Sequence, residues 1–89
     1  MAGPVRRTFS GAPWEAKVGY CRAVRPGPHV WVTGTVASNE AGEVFAPGDP
    51  EAQARRCFEI ISQALQDVGA SLADVVRTRM FVTILLRPA

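Results

Sequence analysis

Eighty-nine residues allow one small domain, and 47% hydrophobic against 20% charged residues excludes a disordered chain. Ten Lys and Arg against eight Asp and Glu leave a net charge of +2, too balanced for a dedicated nucleic-acid binder. The longest apolar run, Met80 to Leu86, is interrupted by Thr83 and falls far short of the roughly 20 residues that span a bilayer, so no membrane helix is expected.

Residues 1–16 hold Gly3, Pro4, Gly11 and Pro13 and read as an extended arm with turns; Arg6 and Arg7 precede no apolar stretch, so a secretory signal is not expected here. Residues 17–37 read as an antiparallel hairpin. Tyr20, Arg22 and Val24 alternate with Cys21, Ala23 and Arg25, the period of a strand. Pro26-Gly27-Pro28 stops that strand and turns the chain. His29 to Ala37 is rich in β-branched and aromatic residues and forms the second strand. Ser38 to Gly42 is a turn cluster.

Residues 49–69 carry the clearest helix pattern. Asp49 suits the N-cap, Pro50 the first helical position, Glu51 the positive end of the helix dipole, and Gly69 the left-handed stop. Ala54, Cys57, Phe58, Ile61, Ala64, Leu65 and Val68 fall on one stripe, so Phe58, Ile61 and Leu65 are expected to be buried against the sheet. Residues 75–83, VVRTRMFVT, read as a third strand, which makes strand–helix–strand a right-handed βαβ unit. Residues 84–89 are a short tail.

The chemistry on offer is modest. Cys21, Cys57 and a lone His29 do not make an ordinary structural zinc site, and two free thiols in a cytoplasmic chain are expected. Gly34, inside a strand pattern, marks a bulge or a close approach by a ligand. Thr33 and Thr35 flank it with hydroxyls, either for cross-strand pairing or for a site. Tyr20 is a half-buried residue with its hydroxyl at a rim. Trp14-Glu15 either covers a pocket mouth or anchors the arm to the sheet. Arg77 and Arg79 share a strand face and need an anion or partner carboxylates. A chain this short buries only about 60–65% of its unfolded surface, so oligomerisation is the expected further source of stability.

Three stretches in order resemble one family: Val18 to Val24 (VGYCRAV), Val30 to Thr35 (VWVTGT) and Gly69 to Thr83, with the helix start Gly48 to Gln53 between them. They are similar to the Rid, or YjgF, family of enamine/imine deaminases, and Pro13-Trp14-Glu15 resembles a branch distinct from its best-known members. The resemblance implies an α+β, chorismate-mutase-like β-β-α-β fold, truncated here before the second helix and last strands. It implies a homotrimer with pockets at subunit interfaces. It also implies hydrolysis of 2-imino acids to 2-keto acids and ammonium, with no cofactor and no metal. By the resemblance Tyr20, Thr33 and Gly34 take substrate-binding positions, while no catalytic residue is assigned. The segment with the family's carboxylate-binding arginine has no counterpart among these residues, so impaired activity is expected. The alternative is a non-catalytic subunit that binds a small ligand or a partner protein. Nucleic acid and membrane are not expected partners.

Overall fold

The computed structural model describes residues 5–82. Their order is β1 (Val5–Thr8), α1 (Pro13–Val18), β2 (Ala23–Pro26), β3 (Trp31–Val32), α2 (Pro50–Asp67) and a short 3-10 turn (Leu72–Asp74). The three strands form one antiparallel sheet in the order β1-β2-β3.

The hairpin read from Pro26-Gly27-Pro28 is present, with Ala23 opposite Val32 and Val24 opposite Trp31. Its strands are much shorter than the alternation suggests. The arm is not simply extended either. Val5 to Thr8 pairs with β2, Val5 opposite Pro26 and Thr8 opposite Ala23. Pro13 then opens α1, and Gly19 closes it in the left-handed conformation at φ 87°. Pro at the start and Gly past the end are helix signals; reading them as loop punctuation missed this element. The Glu15 carbonyl accepts from the Gly19 and Tyr20 amides, which delays the start of β2 to Ala23.

Helix α2 forms where the pattern places it. Asp49 Oδ1 accepts from the Ala52 amide at 3.0 Å. At the other end the Ala70 amide reaches the Leu65 carbonyl at 2.7 Å and the Gly69 amide the Gln66 carbonyl at 3.0 Å, a Schellman closure that uses Gly69 at φ 81°. Two guanidinium groups from the sheet complete the cap. Arg6 donates to the Asp67 carbonyl at 3.0 Å, and Arg25 to the Val68 carbonyl at 2.8 Å. Both place positive charge at the negative end of the helix dipole. Thr8 Oγ1 adds a bond to the Asp67 carboxylate at 2.7 Å. A Cβ on Gly69 would stand 2.8 Å from the Arg6 guanidinium, which would have to shift, but it is the left-handed backbone that calls for glycine here.

The core is small. Ala23, Ala64, Leu65 and Val68 are buried where the C-terminal half of α2 crosses the sheet. Upstream, α2 lies along the 33–38 segment: Cys57 Sγ donates to the Thr35 carbonyl at 3.6 Å and Arg56 Nε to the Ser38 carbonyl at 3.1 Å. The expected third strand is not formed. Val75 to Val82 is exposed and unpaired, and no βαβ unit is present among the described residues. β-branched residues favour strands only against a neighbouring edge. The flank of α2 that bears Phe58 is left open, and Phe58 is 38% exposed instead of buried. Thr83 and the tail 84–89 lie outside the described residues, as do residues 1–4 of the arm.

This packing ranks two substitutions in an order the helical stripe alone does not give. Leu65→Ala is expected to cost about 2–5 kcal/mol, the range for a buried leucine. Phe58→Ala is expected to cost about 1 kcal/mol, because much of the ring already faces water. Denaturant unfolding of both variants checks the order, and a larger loss for Phe58→Ala would contradict it.

Candidate functional site

Alternation sorts β1 by face. Arg6 and Thr8 turn toward the end of α2, so Val5, Arg7 and Phe9 fall on the opposite face. On that face the sheet and α1 border an open concavity of about 420 Å³. Arg7, Phe9, Glu15, Tyr20, Cys21 and Thr33 contribute to its lining. Two of the three residues marked by the sequence, Tyr20 and Thr33, thus meet in one place.

Gly34 does not line the concavity. A Cβ there would meet nothing within 4 Å and its φ is not positive, so neither backbone strain nor crowding demands glycine. Its contribution is a carbonyl, which accepts from Arg22 Nη1 at 2.7 Å. Thr33 Oγ1 donates to the Cys21 carbonyl at 2.8 Å, and the Thr33 amide donates to the Arg22 carbonyl at 3.0 Å. With its hydrogen so committed, the Thr33 hydroxyl presents lone pairs to a ligand. The Tyr20 hydroxyl makes no hydrogen bond among the described residues and is available as donor or acceptor.

Beneath this wall lies an ion pair that sequence reasoning missed. Arg22 Nε donates to Glu15 Oε2 at 2.9 Å, and both side chains are under 10% exposed. Arg22 Nη1 also donates to Thr35 Oγ1 at 3.1 Å, and its guanidinium stacks 5.6 Å from the Tyr20 ring centre. Thr35 Oγ1 passes the chain of bonds on to the Thr33 carbonyl at 2.9 Å. Burial pushes the Glu15 carboxyl up, but hydrogen bonds from the Ser10 hydroxyl, Arg22 and the Ser10 amide, with the Arg22 charge, hold it below the usual carboxylate value. The signal was present in part, since Arg22 shares its parity with Tyr20, but nothing in the spacing links it to Glu15 seven residues upstream. Trp14 is 56% exposed and lies under Lys17 Nζ at 5.1 Å, so it does not anchor the arm; its neighbour Glu15 does.

A larger groove, about 640 Å³, runs along the outer flank of α2 past Phe58 and Leu72. None of the sequence-marked residues lies in it, and its polar lining is the solvated helix face, so the smaller concavity is the better candidate. Among the described residues no three His, Cys, Asp or Glu side chains assemble into a metal-binding group. No helix among them is long and apolar enough to cross a membrane. Arg77 and Arg79 are exposed and do not reach the concavity.

Comparison with known proteins bears on the family and the fold. The sequence profile described as Endoribonuclease L-PSP matches residues 10–86. The uncharacterized protein SCO2049 of Streptomyces coelicolor is 38% identical over 76 residues, covering 85% of this chain and 56% of that protein. The crystal structure of Rv2704 from Mycobacterium tuberculosis, described as a member of the highly conserved YjgF/YER057c/UK114 family, matches with a TM-score of 0.69 and 42% identity over 82% of this chain and 55% of that one. The structure of protein YJGH matches at 0.66 and 27%, over 79% and 53%. The chain therefore spans a little over half the length of these relatives.

The Glu15–Arg22 pair makes a stability prediction with a definite sign. The folded-state carboxyl is depressed, so its contribution is complete above the ordinary value near 4.5 and is lost as pH falls through the lower folded value. Glu15→Ala leaves Arg22 buried without its partner and is expected to cost about 3–5 kcal/mol at neutral pH. Removing the exposed Glu51, which pairs with Arg55, is expected to cost under about 1 kcal/mol. Urea titrations at pH 7 and pH 3 read both effects; equal losses for the two variants would contradict the role of burial.

Proposed function

Because the chain belongs to the Endoribonuclease L-PSP family, also known as YjgF or Rid, we propose that it carries one wall of an imine-deaminase pocket. The reaction is hydrolysis of a 2-imino acid to a 2-keto acid and ammonium. Water adds to the imine carbon, its proton passes to nitrogen, and the carbon–nitrogen bond breaks as the carbonyl forms. The observation that supports this reading is the meeting of Tyr20 and Thr33 in one concavity.

The two hydroxyls suit the chemistry. Thr33 Oγ1, its hydrogen given to the Cys21 carbonyl, is an acceptor for an iminium N–H or for the attacking water. Tyr20 supplies a hydroxyl at the rim that can donate to the carbinolamine oxygen or accept from water. Orientation of this kind contributes only when the geometry is fixed beforehand, which is the service of Arg22 beneath both residues. The exposed apolar face of Val5, Phe9 and Trp31 supports a homo-oligomer, for which we propose the trimer implied by the family, in the cytoplasm. The family description refers to RNA cleavage, but a net charge of +2 gives little attraction for phosphate backbones.

Arg7, Phe9 and Thr33 are exposed, so these residues form a wall and not an enclosed site. Turnover by the 89-residue chain is therefore expected to be at least about a hundredfold below that of a full-length relative, equivalent to roughly 2.7 kcal/mol of transition-state stabilisation. The assay generates the imine with an amino-acid oxidase and traps what escapes hydrolysis with semicarbazide. Trapping suppressed as strongly as by a full-length relative at equal subunit concentration would contradict the expected impairment. Ligand binding with no acceleration whatever would favour the alternative, a non-catalytic ligand-binding subunit.

A further inference from the structure

We infer that Val75 to Val82 is a donor strand that adds to the open edge of β3 in a second copy of this chain. The contact is between backbones at a sheet edge. It is independent of the imine-acid reading of the concavity and of the apolar face assigned to the trimer. The donor is already extended where it begins: Val75, just after the 3-10 turn, stands at φ −73° and ψ 127°. Two bonds to the Asp74 carboxylate set that exit, one from the Ser71 amide at 2.9 Å and one from the Ser71 hydroxyl at 3.3 Å. Beyond it Val76 is 98% and Phe81 86% exposed. Such a segment, rich in β-branched and aromatic residues, gains by pairing with a sheet edge whose ladder is open.

Charge selects the acceptor. The donor does not pair with its own copy: in the symmetric antiparallel registers of greatest overlap, Arg77 faces Arg79 or Arg79 faces itself, and like charges directly opposite are destabilising. The outer edge of β1 carries Arg6 and Arg7, which repel a strand bearing two arginines. The edge of β3 is different. Residues 29–37 hold no Lys, Arg, Asp or Glu, and the next acids, Glu40 and Glu43, form no salt bridge among the described residues. The Thr33 amide bonds back to the Arg22 carbonyl, so alternation turns the Val32 and Gly34 amides to the open side. The donor's own chain is badly placed to use that edge. Helix α2 runs from the 35–38 stretch, where Cys57 and Arg56 bond to the Thr35 and Ser38 carbonyls, to Thr8 on β1, whose hydroxyl holds Asp67. The exit therefore lies over β1, with β2 between it and the open edge of β3. A second copy is free of that constraint, so the exchange runs between chains.

The test is NMR on an equal mixture of isotope-labelled and unlabelled 89-residue chains, with amide exchange read at about 10 μM and about 500 μM. Filtered NOEs, which pass only between a labelled and an unlabelled chain, are expected between side chains of 76–82 and those of 30–36. Amide exchange over 75–82 is expected to slow about tenfold or more at the higher concentration. Alternation puts either the Thr78 or the Arg79 amide into the shared ladder, so at least one of Thr78→Pro and Arg79→Pro is expected to abolish both signals. Both positions are exposed, so the α2 and β2 amides should stay as protected as before, and Thr78→Ala and Arg79→Ala, which keep the amide, should preserve the signals. Free exchange of 75–82 at both concentrations, with no interchain NOE, overturns the inference. Protection that does not change with concentration also overturns it, since the strand then pairs within its own chain. Interchain NOEs that survive both prolines overturn it as well, because the copies then meet through another surface.

Discussion

Arg22 and Glu15 leave water together, and much of the sheet's outer face is arranged by what that burial requires. A buried guanidinium must spend its N–H groups, and here it spends them on the Glu15 carboxylate, the Gly34 carbonyl and the Thr35 hydroxyl. Those three partners belong to α1 and to the segment after β3. One charge thereby ties the short helix, the second strand and the loop beyond the third into a single unit. Desolvating the pair is costly, and its mutual attraction offsets the cost only when the remaining polar groups are satisfied. Ser10 supplies that satisfaction for Glu15, and no buried side-chain polar atom is left without a partner among the described residues.

The other face depends on a second use of arginine. Arg6 and Arg25 reach over to the last carbonyls of α2, so the helix is fastened to the sheet by charge-assisted bonds beside its small apolar core. Among the described residues, four small or medium apolar side chains make up that core. In so small a unit the ionic and capping contacts carry a larger share of the specificity than they would in a domain with several buried aromatics. The arginines of β1 and β2 are thus divided by alternation. Even-numbered Arg6 works on the helix side, and odd-numbered Arg7 is left on the site side.

What the sequence made legible follows from the range of each interaction. The α2 boundaries rest on local signals, Asp49, Pro50 and Gly69, and fall within two residues of the pattern. The hairpin rests on Pro26-Gly27-Pro28, also local. The α+β class and the family followed from motifs in order. By contrast, α1 was hidden in an arm whose Pro13 and Gly19 were taken as turns. The strand over Val75 to Val82 was expected from composition, yet strand formation is decided by a partner edge that composition does not report. Phe58 was expected to be buried because it falls on the apolar stripe of α2, but a stripe does not report how far the sheet extends beneath it. Tyr20 and Thr33, marked by resemblance, lie together in the lining of one concavity, whereas Gly34 does not. The Glu15–Arg22 pair was not legible, because a pairing between elements leaves no period in the sequence.

The central claim is that the Glu15–Arg22 pair is formed, buried and charged, and that it holds the wall bearing Tyr20 and Thr33. The most direct measurement is NMR of that pair itself, following the Glu15 carboxyl carbon through an acid titration together with the Arg22 Nε–H signal. The account predicts a Glu15 midpoint below the ordinary glutamate value and an Arg22 Nε–H protected from solvent exchange until Glu15 protonates. A Glu15 that titrates at its ordinary value, beside an Arg22 Nε–H exchanging as fast as that of exposed Arg55, would contradict it.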